Sequence, residues 1–253
     1  MEEPKVIHQD QVLRISTLKA QGTKGRALLS FTGIGHSLGG LDVQKPEFTR
    51  AAGGYDRIFY ITDVTRSWGN LLDFGTINEV VRQSAPDLRF DAVGNSMGGF
   101  LALLAPCFLP IDRTVAFVPQ FSVHPEIAIW DRRWRQYRQN IKAWKYRSLD
   151  RALNDDTQYY VFAPTSGPDA EHARRIPAGA NITLTQLDAE HDLARRLKAA
   201  GLLNEIVLRC MDGTYTESWL KEAFASAGKS PGAHFPTPNP LATETLKWTN
   251  SPD

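Results

Sequence analysis

Ser96 stands in the run Gly94-Asn95-Ser96-Met97-Gly98-Gly99, a G-x-S-x-G spacing. A serine hydroxyl is a poor nucleophile at neutral pH. It becomes effective when a general base takes its proton and fixed donors receive the developing oxyanion. The spacing suits that chemistry when a strand enters it and a helix leaves it, because the chain then reverses so sharply that side chains at 94 and 98 would collide. Residues 90–93 read as a short buried strand and residues 100–105 as an apolar, helix-prone segment. Ser96 is therefore expected in a strained conformation with its hydroxyl at the end of a sheet. The Met97 amide, in the first helical turn, is expected to donate to an oxyanion.

A site of this kind runs nucleophile, acid, histidine along the chain. Of the six histidines, His172, His191 and His234 follow Ser96 with room for an intervening acid. His191 follows the strand predicted over 181–187 by a three-residue loop and opens a helix, which puts it at the same sheet edge as Ser96. His172 lies inside a predicted helix and is expected to face solvent, and His234 lies in a Pro-rich tail. His191 is the expected base. Asp169 follows the strand predicted over 158–163 and could hold the imidazole tautomer; it could equally cap the helix it begins. Asp188 and Asp192 are the competing acids. The second oxyanion donor is expected in Gly33-Ile34-Gly35-His36-Ser37, with Ile34 first and Gly35 as the alternative.

Residues 27–32 and 55–62 read as buried strands, as do 90–93, 114–118, 158–163 and 181–187, with one or two weaker strands over 6–18. Helical patterns cover 77–83, 100–105 and 169–176, and 193–203 broken by Gly201. Strands alternating with helices at this rhythm predict βαβ units and a mostly parallel sheet.

The 253 residues suit one domain, 1–229, with a cap insertion at about 122–152 and an extended Pro-rich tail over 230–253. Lys+Arg 29 against Asp+Glu 28 leaves a formal charge of +1, which gives no general pull toward nucleic acid or anionic membrane. Cys107 and Cys210 form no disulfide framework, and no basic-then-apolar start is visible, so a cytoplasmic location is expected. No apolar run approaches the roughly 20 residues of a membrane span. No His or Cys pair has metal-ligand spacing.

Taken together, the residues Gly94 to Gly99, the Thr32-Gly33-Ile34-Gly35 loop and the order Asp169, His191 resemble the α/β-hydrolase superfamily over about residues 27–208. The resemblance implies an α/β fold, with an eight-stranded, mostly parallel sheet flanked by helices. It also implies a Ser96-Asp169-His191 triad, an oxyanion hole at Met97 and Ile34, and no cofactor. Three features depart from the pattern. The stretch before residue 27 is short for the usual opening strands. Glu190 precedes His191 where glycine is common. The H-G-G-G run of one lipase group is absent, so that group's substrates are not carried over. Ser96-Met97-Gly98-Gly99 followed by Phe117-Val118-Pro119-Gln120-Phe121-Ser122-Val123-His124-Pro125 is similar to hydrolase-like proteins of bacterial glycan biosynthesis and export.

Trp130, Trp134, Tyr137, Ile141 and Trp144 have helical spacing, and residues 130–151 carry eight Lys/Arg against two Asp. A small helical cap is expected, with an aromatic face on the core and a basic face outward. Ligands of open α/β sheets gather at the carboxyl ends of strands. His36, Asp63, Arg66, Trp68 and Trp130 are the expected substrate contacts. An acidic or glycan-linked ester or thioester is the expected substrate, and hydrolysis the expected reaction. Acyl transfer by the same triad is the alternative, as is a non-catalytic interaction protein of a glycan or secretion assembly.

Overall fold

The computed structural model describes residues 3–35 and 44–226. His36, His234 and the Pro-rich tail lie outside these. Eight strands form one sheet: β1 (Lys5–Gln9), β2 (Leu13–Lys19), β3 (Arg26–Phe31), β4 (Arg57–Asp63), β5 (Arg89–Asn95), β6 (Ile111–Phe117), β7 (Gln158–Pro164) and β8 (Ile182–Leu187). Their spatial order is β1-β2-β4-β3-β5-β6-β7-β8. The β1–β2 and β2–β4 pairs are antiparallel and the remaining pairs are parallel. The opening stretch thus supplies both of its strands, short as it is. Each is brief, and β2 alternates little because it is buried over most of its length.

The helices are α1 (Phe74–Ser84), α2 (Met97–Leu104), α3 (Arg135–Arg138), α4 (Gly167–Ala173), α5 (Leu193–Ala199), α6 (Leu203–Asp212) and α7 (Glu217–Ser226). The central strands are apolar on both faces, as a parallel sheet covered on two sides requires. Leu29, Phe31, Phe59 and Phe90 pack with α1, α2 and the 118–157 connection. Leu28, Ile58, Val115 and Phe162 pack with α5, α6 and α7. Gly201 divides the helix expected over 193–203: it takes φ +79, and α6 starts beyond it.

The 118–157 connection corrects the expectation of a helical cap. Only α3, four residues long, is α-helical there. Elsewhere the segment is held by turns, by bonds between its own distant parts and by a bond to the body of the protein. Tyr146 N donates to Asn70 Oδ1 at 2.9 Å, Leu149 N to Phe121 O at 3.0 Å, and Ser122 Oγ to Arg147 O at 2.6 Å. Trp134, Ile141 and Leu149 are buried one by one along a winding path.

Candidate active site

Ser96 sits between β5 and α2 at φ 57°, ψ −120°, a costly conformation for a residue with a side chain. The turn closes because of its glycines. A Cβ on Gly94 would stand 2.0 Å from Gly98 O, and one on Gly98 would stand 2.1 Å from Phe31 O. Ser96 N donates to Phe117 O at 2.9 Å, which ties the turn to the end of β6. The serine is only 4% exposed. Its Oγ accepts from Gln120 Nε2 at 3.1 Å, and no hydrogen bond joins it to His191 among the described residues.

Asp169 and His191 are brought together. His191 lies in the turn between β8 and α5, and its Nδ1 is 3.0 Å from Asp169 Oδ2. Asp169 lies in the first turn of α4, just beyond β7. β5, β7 and β8 run parallel, so all three residues lie at their carboxyl ends. The competing acids point elsewhere: Asp192 pairs with Arg195 and Arg196, and Asp188 is exposed.

Burial pushes the Asp169 carboxyl up, but hydrogen bonds from His191 and Arg133 outweigh it and hold the group at about 2. The carboxylate is nearly enclosed while the His191 side chain stays 32% exposed, so the imidazole can meet both its partner and a ligand. The ring centroid of Trp134 lies 5.6 Å from that of His191.

The start of α2 and the residues just after β3 supply the remaining groups. The Met97 amide opens α2, where backbone N–H groups lack helical partners. Ile34 is buried, and its carbonyl accepts from Arg66 Nε at 3.1 Å. Gly35 takes φ +87 beside it. Gly33 N donates to Glu47 Oε1 at 3.1 Å. Burial pushes the Glu47 carboxyl up to about 7, against the pull of that amide.

Several expected substrate contacts have other places. Asp63 is fully buried; its carboxylate accepts from Ser67 N, Ser67 Oγ, Gly69 N and Thr65 Oγ1 at 2.7–3.0 Å, which makes it the staple of its own loop. Trp68 is also fully buried, with its Nε1 donating to Gln120 Oε1 at 3.0 Å. Neither presents a surface to a ligand. Trp130 packs on α4, 5.5 Å from the His172 ring and 4.0 Å from the Arg175 guanidinium. His172 does not face solvent: it is fully enclosed, with Nε2 on Asp131 at 3.1 Å. Arg66 sits 5.5 Å over the Tyr137 ring while bracing Ile34.

Gln120 and Arg133 were missed by sequence reasoning. Gln120 lies in the Phe117–Pro125 run but carries no local signal for its contact with a residue 24 positions away. Arg133 donates to Asp169 from Nη1 at 2.9 Å and Nη2 at 2.7 Å, whereas in the sequence it reads only as one charge of a basic face.

This eight-stranded, mostly parallel sheet flanked by helices is that of the α/β-hydrolase fold, and solved structures agree. The chain is similar to the capsule O-acetyltransferase of Neisseria meningitidis serogroup A, at TM-score 0.54 and 12% identity over 78% of this chain and 92% of that one. It is also similar to a protein of unknown function from Staphylococcus aureus, at TM-score 0.54 and 14% identity over 84% and 98% of the two chains. An alpha-beta serine hydrolase homologue from Coxiella burnetii gives TM-score 0.50 and 10% identity over 82% and 96%. No family model matches, and neither does any curated protein. No helix among the described residues is long and apolar enough to cross a membrane.

Proposed function

We propose that the protein is a serine hydrolase of carboxylic esters or thioesters. The observation that carries this is the Asp169–His191 hydrogen bond of 3.0 Å at the sheet edge where Ser96 holds its strained turn. Ser96 Oγ attacks the acyl carbon as its proton passes to His191 Nε2. The Met97 and Ile34 amides receive the oxyanion. Asp169, ionised above about pH 2, stabilises the imidazolium without taking its proton. His191 then protonates the leaving alcohol or thiol, and water releases the acyl group by the same steps in reverse.

The exposed cations Arg132, Arg135, Lys142 and Lys145 support an acidic or glycan-linked substrate. Turnover of p-nitrophenyl acetate tests the reading. Wild type should release nitrophenol, and Ser96→Ala and His191→Ala should each lose at least about a thousandfold. Equal turnover in all three would refute it.

A second reading, acyl transfer, is favoured by the fold likeness to a capsule O-acetyltransferase. On that reading a sugar hydroxyl competes with water for the acyl-enzyme, and adding glycans would divert acetyl groups from acetate to acetylated sugar. If glycan capture survives Ser96→Ala and wild type forms no acyl-enzyme, the chain is instead a binding protein.

A further inference from the structure

The Ser96 hydroxyl has a partner that a serine–histidine–aspartate relay does not require. Gln120, completely buried three residues past the end of β6, donates from Nε2 to Ser96 Oγ at 3.1 Å. Its Oε1 accepts from Trp68 Nε1 at 3.0 Å. An indole N–H can only donate, so the amide oxygen must face Trp68 and the amide nitrogen must face Ser96. The two flips of this amide are thus chemically distinct, and only one satisfies both neighbours.

Both partners are delivered by strained backbone. Val118 takes φ +41, a rare conformation for a β-branched residue, and turns the chain out of β6 toward Gln120. Its amide is fixed on Phe162 O at 2.7 Å. In the loop after β4, Arg66 and Trp68 take φ +54 and +50, while the Asp63 carboxylate holds the Ser67 and Gly69 amides that flank Trp68. Two independently strained loops therefore converge, through Trp68 and Gln120, on one hydroxyl oxygen. Strain of this kind persists where surrounding structure fixes it, and such places cluster at working sites.

We propose that Gln120 is a catalytic residue of the Ser96 reaction and that Trp68 is its positioning residue. The assignment rests on Ser96 being the nucleophile. A hydroxyl oxygen that accepts from Gln120 must turn its single hydrogen elsewhere, which frees that hydrogen for the base. As the Oγ–H bond breaks and the bond from Oγ to the acyl carbon forms, charge on Oγ meets a donor already in place in a dry setting. When the acyl-enzyme is cleaved, the electron pair of that bond returns to Oγ and meets the same donor.

The test is the second-order rate of modification by a fluorophosphonate across pH 5.5–9, using the full chain and following the melting midpoint of each variant. In this reaction the Oγ–P bond forms, the P–F bond breaks, fluoride leaves, and His191 carries the serine proton. Gln120→Met should label roughly tenfold to a hundredfold more slowly at every pH. Trp68→Phe, which frees the amide to flip, should lose several-fold. Gln120→Glu should show a pH signature that altered packing would not. Its ionised carboxylate accepts the serine hydrogen and draws it from the base, whereas its protonated form can still donate. Its rate relative to wild type should therefore climb as pH falls.

Wild-type rates for Gln120→Met and a pH-independent ratio for Gln120→Glu would overturn the assignment while leaving Ser96 as nucleophile. If Gln120→Met does not fold, the Gln120→Glu ratio decides alone. Absence of labelling in wild type would instead remove the nucleophile, and the Gln120 assignment with it.

Discussion

Arg133 grips Asp169 with both terminal nitrogens, Nη1 on Oδ2 at 2.9 Å and Nη2 on Oδ1 at 2.7 Å, while Oδ2 also receives His191 Nδ1 at 3.0 Å. The same guanidinium holds Asp131, from Nε at 3.0 Å and Nη2 at 2.7 Å, and Asp131 in turn accepts from His172. One arginine thus joins two aspartate–histidine pairs, one reaching solvent through His191 and the other fully enclosed. Burial opposes ionisation of both carboxyls, but their partners prevail, leaving Asp169 at about 2 and Asp131 lower still.

The sign of the resulting pH dependence follows from linkage. Asp169 titrates lower folded than unfolded, so its contribution to stability is present above about pH 4 and is lost as pH falls toward 2. Arg133→Met removes both guanidinium bonds to Asp169 and should raise its folded value toward the unfolded one, so less stability is left for acid to remove. The variant should lose about 3 kcal/mol or more at neutral pH, and its melting midpoint should decline less steeply than wild type between about pH 4 and 2. Superimposable acid limbs would show that Arg133 does not hold Asp169.

Asp169→Asn keeps the shape of the side chain but removes the charge that steadies the imidazolium. Turnover of p-nitrophenyl acetate should fall by about a thousandfold or more, with KM changing much less, because the lost interaction belongs to the transition state. A fall confined to KM would place Asp169 in substrate binding.

Glu47 gives the opposite pH trend. Its folded value of about 7 lies above the ordinary carboxyl value, so the folded state holds a proton that the unfolded state has released. Its contribution to stability is greatest below about pH 4.5, falls as pH rises, and is wholly lost above about 7. Glu47→Gln should flatten the decline in melting midpoint between pH 4.5 and 7 and gain roughly 1–3 kcal/mol at pH 8. Parallel profiles would contradict a protonated Glu47 under the Gly33 amide.

Steric closure of the serine turn predicts a sharp contrast between two glycines. Gly94→Ala drives a Cβ to 2.0 Å from Gly98 O, whereas a Cβ on Gly53 meets nothing within 4 Å. Urea denaturation should show a loss of about 3 kcal/mol or more for Gly94→Ala and a change within about 0.5 kcal/mol for Gly53→Ala. Comparable losses at both would mean that the turn is not sterically locked.

What was legible in the sequence follows the range of the forces involved. The turn at Ser96 is a local steric problem, so its glycines and flanking apolar runs declare it. Asp169 and His191 could be placed because each follows a strand of a parallel sheet, and parallel strands end at one edge. Gln120 and Arg133 act on residues 24 and 36 positions away, and nothing in their immediate neighbours signals it. The aromatic spacing over 130–151 fits a helix, yet bonds to Asn70, Ser122 and Phe121 outcompete helical ones. Asp63 ends β4 and Trp68 follows it, which puts both at the same edge as Ser96, but edge position does not distinguish a side chain facing a ligand from one folded beneath it.

The most direct measurement is mass spectrometry of the full chain after exposure to a fluorophosphonate. A single adduct on the peptide bearing Ser96 in wild type, absent in Ser96→Ala and slowed by at least about a hundredfold in His191→Ala, is the predicted result. An unmodified wild type, or an adduct that persists in Ser96→Ala, would contradict the account.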